Sequence, residues 1–164
     1  MSTTEFSNRR IQPELTTFHA LAEEMAHSFG YTAELTLEGK LAELVRLRVA
    51  QVTPCSYCLV LHTRVVLECG VPVEKVAHLA SWRESEMFSA AERAALAYTE
   101  GLTTYDLKAF QELHDALTEH FNPTEIAELA AVIINMNVWT RLKLAEGATP
   151  RFADRNPEPS SSPA

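Results

Sequence analysis

Three short stretches, Thr53-Pro54, Ser89-Ala90-Ala91-Glu92 and Asn122-Pro123-Thr124-Glu125, each spell the start of a helix. A Ser, Thr or Asn side chain accepts an orphan N–H of the first turn, and proline at the first helical position sacrifices no hydrogen bond. A glutamate three residues on can reach back to the cap. Glycine is scarce at five residues, proline falls mainly at element boundaries, and long alternating strand patterns are missing. A chain punctuated in this way has room for helices and little else. The reading is all-α.

The punctuation predicts a helix opening at Pro13 and closing at Phe29 before Gly30, and a second from Leu37 to Gln51. A third is expected with Thr53 as its cap and Pro54 at its first position, running through Glu68 to a stop near Gly70. A short helix from Pro72 to Ala80 follows, then one from Ser89 to Glu100 that stops before Gly101. Asp106 to His120 is an amphipathic candidate, and the helix opened by Asn122 is the longest, ending near Gly147. This divides the chain into an N-terminal helical segment (1–35), a core (36–147) and a disordered Pro/Ser-rich tail (148–164).

At 164 residues the chain can bury a hydrophobic core without disulfide staples. A hydrophobic fraction of 46% is ordinary for a globular protein, and a net charge of −8 argues against nucleic-acid or anionic-membrane partners. Met1 to Arg10 has no apolar core of a secretory signal, and the longest apolar run, Leu129 to Ile134, is far too short to span a bilayer. Three cysteines are the wrong number for a secreted disulfide framework. A close-spaced pair in a reducing compartment points to catalysis, redox sensing or metal binding, so the expected location is cytoplasmic.

That pair lies in Cys55-Ser-Tyr-Cys58-Leu-Val-Leu-His62. With Cys55 set to zero on a helical wheel, Cys58 falls at ~300° and His62 at ~340°, one narrow face. Cys55 sits in the first turn, where unpaired N–H groups and the helix dipole favour a thiolate. Glu43 lies eight residues before Gln51 and His62 eight after Pro54. If the two helices fold back on each other, both stand ~12 Å from the turn and therefore level. Glu43 occupies a largely apolar helix and needs a partner if buried; His62 and Arg46 are both candidates. Two structural core cysteines remain an alternative. A zinc site of Cys55, Cys58, His62 and Glu43 is another, although three ligands within two helical turns close a tetrahedron awkwardly. Cys69, beside Gly70, reads as a packed structural thiol, and Trp82, Asn137, Trp139 and Arg141 as core or subunit-interface residues.

The segment from Glu43 to His62 resembles the alkylhydroperoxidase AhpD-like core of the carboxymuconolactone decarboxylase family: glutamate, eleven residues, CxxC, three residues, histidine. The stretches Ser81–Ser85, Phe88–Leu96 and Asn137–Leu142 are similar to single-domain members, so the resemblance spans roughly Glu38 to Ala145. It implies a bundle of about six to eight helices and a cysteine-based peroxidase without heme, flavin or metal. In the implied mechanism Glu43 accepts a proton through His62, and Cys58 becomes the thiolate that attacks an organic hydroperoxide. Cys55 then resolves the sulfenic acid to a Cys55–Cys58 disulfide, which an external dithiol reduces. Relatives form homo-oligomers, commonly trimers or hexamers, and the apolar surface of Leu37–Val52 and Pro123–Ala145 agrees with assembly. Where the well-studied pattern often carries histidine between the cysteines, this chain has Tyr57, which can donate a hydrogen bond but is no base near neutral pH. A lyase acting on a carboxylated muconolactone, or a non-catalytic thiol redox sensor, are the competing functions.

Overall fold

Helix α2 (Gly39–Val52) is buried on nearly every face, with Leu41, Ala42, Leu44, Val45, Leu47, Val49 and Ala50 all out of solvent. A helix apolar all round must be surrounded, and α2 packs against α3 (Ser56–Glu68), α5 (Ala90–Thr104) and α7 (Pro123–Glu146). A computed structural model describes residues 4–152 of this arrangement. The remaining elements are α1 (Phe18–Phe29), α4 (Val73–His78), α6 (Phe110–Thr118), 3-10 turns at Pro13–Leu15 and Leu79–Glu84, and two short strands. The main core joins α2, α5 and α7 and includes both Cys55 and Cys58; a second cluster gathers Leu44, Leu47, Val66, Leu79, Trp82, Phe88 and Leu96.

The expected start signals at Ser89 and Asn122 are complete capping boxes: Ser89 Oγ accepts from Glu92 N, and Asn122 Oδ1 from Glu125 N, each glutamate returning the bond. Gly147 ends α7 in the left-handed region at φ 68°, where glycine carries no steric penalty.

Five expectations are corrected. Thr53 does not open α3; its N–H and hydroxyl both bond Val49 O and close α2. The cap of α3 is Cys55. Gly101 does not stop α5, which continues to Thr104 and ends with Tyr105 left-handed at φ 61°. Gly101 is instead a contact point for α6, since a Cβ there would lie 2.4 Å from Leu113 Cδ1. The candidate helix Asp106–His120 is confined to Phe110–Thr118, and Pro13 opens only one 3-10 turn before α1.

The fifth concerns the ends. The N-terminal segment begins with strand β1 (Thr4–Asn8), which pairs antiparallel with β2 (Ala148–Phe152), Thr4 opposite Phe152 and Asn8 opposite Ala148. The first residues of the expected tail are thus ordered by pairing with a segment some 140 positions away, invisible to local pattern; 153–164 lie outside the described residues. Phe6 of β1 packs against Tyr57, with ring centroids 4.5 Å apart and planes tilted by 56°, so the two-stranded ribbon lies over the start of α3.

Candidate active site

The sharp Thr53-Pro54 turn sends α3 back along α2 and leaves Cys55 extended (φ −85°, ψ 106°) at the mouth of the new helix. Its sulfur does what a cap oxygen normally does, accepting Cys58 N–H at 3.4 Å. The two sulfurs are 2.9 Å apart, and both side chains are buried. The Cys58 thiol, the backbone N–H groups of Cys58 and Tyr57 and the charge of Lys143 together outweigh burial and hold Cys55 down at about 7. Cys58 is pushed well above the ordinary thiol range because it donates to Cys55, is buried, and faces the Cys55 charge. The pair shares one proton, and its first ionisation belongs to both sulfurs. The electrostatics favour the charge on Cys55; the relay mechanism expected from the sequence put it on Cys58. The bond between the two sulfurs, with the cap donors behind it, explains the difference.

One turn beyond Cys58, His62 is 4% exposed and its Nδ1 lies 3.0 Å from Glu43 Oε2. The length argument from the helix hairpin thus brings the two level. The alternative partner is present as well: Glu43 Oε1 accepts from Arg46 Nη1. Arg46 Nη2 donates to Phe29 O (2.9 Å) and Gly30 O (2.8 Å), tying α2 to the end of α1. Burial pushes the Arg46 guanidinium down, and Glu43 pulls it back. Glu43 is therefore held by Arg46 on one oxygen and by His62 on the other.

A cavity of about 110 Å³ opens on this group, lined by Cys58, His62, Arg46, Tyr57, Asn135 and Met136 among others. Trp139, expected in the core or an interface, lines it too. Cys55 does not reach its wall. On the far side of Glu43 a second cavity of about 310 Å³ is lined by Glu43, Arg46 and Cys69. Cys69 is exposed, contrary to its expected packing, because α3 ends there at the surface.

Lys143, Glu146 and His19 were not singled out in the sequence. Lys143 Nζ bonds Glu146 Oε2 at 2.8 Å and lies 4.9 Å from the Tyr57 ring centre, and His19 Nδ1 closes the chain on Glu146 Oε1. A lysine in a last helical turn reads as an ordinary dipole partner, so no local signal marks it. Among the described residues no group of three or more His, Cys, Asp or Glu could hold a metal ion, and no helix is long and apolar enough to cross a membrane.

The site is a buried cysteine pair at a helix terminus, backed by a carboxylate–imidazole pair in an all-α bundle. The chain belongs to the carboxymuconolactone decarboxylase family, whose model matches residues 19–101 and so includes Glu43, Cys55, Cys58 and His62. An uncharacterized Bacillus subtilis protein, YdfG, is 29% identical over 118 residues, which cover 71% of this chain and 80% of the relative. A solved Agrobacterium tumefaciens structure, a protein of unknown function assigned to AhpD-type antioxidant defence, superposes with a TM-score of 0.73 at 21% identity, covering 90% of this chain and 94% of that one. The debrominase Bmp8, solved with 2,3,4-tribromopyrrole, has the same fold at TM-score 0.67 and 20% identity, covering 81% and 68%.

Proposed function

We propose that the protein is a dithiol peroxidase that reduces organic hydroperoxides through a Cys55–Cys58 disulfide cycle. The observation that carries this reading is the 2.9 Å sulfur pair beside the Glu43–His62 bond, with Cys58 alone of the two cysteines in the cavity wall. The pair gives one proton to His62, backed by Glu43, and the remaining proton shifts to Cys55, leaving Cys58 as the nucleophile. The Cys58 thiolate attacks the terminal peroxide oxygen; the S–O bond forms, the O–O bond breaks, and the alkoxide recovers the proton from His62. Cys55 then attacks the sulfenic sulfur, giving the disulfide and water, and an external dithiol restores both thiols. A cycle of this kind needs a reducing compartment, in keeping with a cytoplasmic setting, and no heme, flavin or metal.

Treating reduced protein with one equivalent of tert-butyl hydroperoxide tests this. The expected result is loss of two thiols with a Cys55–Cys58 link by mass spectrometry, abolished in Cys58→Ser. Three intact thiols after prolonged exposure would sink the peroxidase and favour the family's lyase chemistry. Oxidation without turnover in the presence of a dithiol would favour a sensor. The exposed apolar side chains of Phe18, Leu21, Ile134 and Leu144 fit assembly with further copies of the chain. A monomer in light scattering at micromolar concentration would overturn that.

A further inference from the structure

A buried polar atom without a partner costs about 1–3 kcal/mol, so a site that retains one has a use for it. Among the described residues two buried side-chain polar atoms have no protein partner: Arg46 Nε and Asn135 Oδ1. Arg46 spends its terminal nitrogens on Glu43 and two backbone carbonyls, which leaves the Nε–H unclaimed. Asn135 is 1% exposed in the middle of α7. Both residues line the cavity that holds Cys58 and His62. The rest of its wall is largely apolar, from Ala26, Leu61, Met136 and Trp139.

We infer that Arg46 and Asn135 form an oxygen-binding pair that positions a compact alkyl hydroperoxide against Cys58. The inference rests on the peroxidase reading and adds a substrate class to it. A hydroperoxide carries one O–H donor and a neighbouring ether-like oxygen on an apolar body, and the pair supplies one acceptor and one donor. Asn135 Oδ1 accepts the O–H of the terminal oxygen that Cys58 attacks, and keeps that bond as the group becomes S–O–H. Arg46 Nε–H donates to the inner oxygen, where negative charge develops as the O–O bond breaks. The guanidinium donates without giving up its proton; His62 returns the proton to the alkoxide. A cavity of about 150 Å³ takes a benzene-sized molecule, so about 110 Å³ suits a butyl-sized body rather than a fatty-acid chain. Asn135 and Met136 come from α7, beyond residues 19–101 that the family model matches.

The test is single-turnover oxidation of the reduced protein, followed by tryptophan fluorescence, with hydrogen peroxide, tert-butyl hydroperoxide and linoleic acid hydroperoxide. The wild-type protein is expected to react fastest with tert-butyl hydroperoxide. Asn135→Leu, which keeps the branching at Cγ but is apolar, is expected to slow that reaction about 10- to 100-fold. The pH profile and rate of Cys58 alkylation by iodoacetamide should stay unchanged, because a haloamide makes no use of the pair. Asn135→Ser, which keeps a shorter polar group, should recover part of the loss. Equal oxidation rates in wild type and both variants would mean the atoms only hold water. A parallel fall in alkylation would mean Asn135 is merely structural. Either outcome overturns the inference while leaving the peroxidase standing; failure of the wild-type protein to react with any hydroperoxide would remove both.

Discussion

Glu43 on α2 and His62 on α3 meet at 3.0 Å across a helix hairpin, with both side chains almost wholly buried. With Nδ1 engaged by the carboxylate, Nε2 is the imidazole nitrogen left for exchange with the cavity. A positioned acid–base group of this kind contributes about 10²- to 10⁴-fold to a proton-coupled step.

Glu43→Gln keeps the shape and removes the charge. Peroxide-driven disulfide formation should slow by about 10²-fold or more in stopped-flow measurements. The same change strands a buried guanidinium, and urea unfolding should show a loss of about 3–5 kcal/mol. An unchanged oxidation rate would remove Glu43 from the relay.

The pH dependence follows from the sulfur pair. Because Cys55 is held at about 7, the alkylation rate should rise about tenfold per pH unit below that point and level off above it. A thiol depressed from 9.0 stabilises the folded state above its unfolded value, and that stability is lost as pH falls through about 7. Cys58 acts in the opposite sense: its folded value is raised, so above about 9 the unfolded chain sheds a proton the folded one keeps, and stability falls again. Reduced protein should therefore be most stable near pH 9 relative to the Cys55→Ser, Cys58→Ser double variant, as read from melting temperatures across pH.

Lys143→Met removes the cation whose charge favours the ionised sulfur. The alkylation midpoint should move upward, and the rate at pH 7 should drop about threefold or more. Because Glu146 loses its lysine but keeps His19, the fold should survive. A midpoint unmoved from wild type would show that the Cys58 thiol and the cap donors set the thiol acidity without Lys143.

Gly101→Ala places a methyl group against Leu113, which must turn aside at the α5–α6 contact. Overpacking costs about 1–3 kcal/mol and the better helix former returns about 1 kcal/mol. The variant should be less stable by about 0–2 kcal/mol in urea unfolding, with alkylation kinetics unchanged.

The fold was legible where its signals are local. Ser89 and Asn122 cap their helices as their neighbours three residues on announce, and the CxxC-x3-His spacing sets two sulfurs and an imidazole on one helical face whatever surrounds them. Even the Glu43–His62 meeting follows from two helix lengths and one turn. Thr53 was misread because a hydroxyl can close one helix as readily as open the next, and only the bond to Val49 O decides which. The pairing of Ala148–Phe152 with Thr4–Asn8 joins segments at opposite ends of the chain, where no short-range period exists to be read.

The amino-acid sequence by itself determined an all-α chain and the meeting of Glu43, Cys55, Cys58 and His62, because these depend on spacing along one helix and across one turn. Only the tertiary structure decided what faces that quartet. Asn135, Trp139 and Lys143 arrive from α7, more than seventy residues downstream of Cys58, and reach the dithiol because α7 packs along α2 and α3. Their chemistry comes from burial and proximity, which exist only once the helices are assembled.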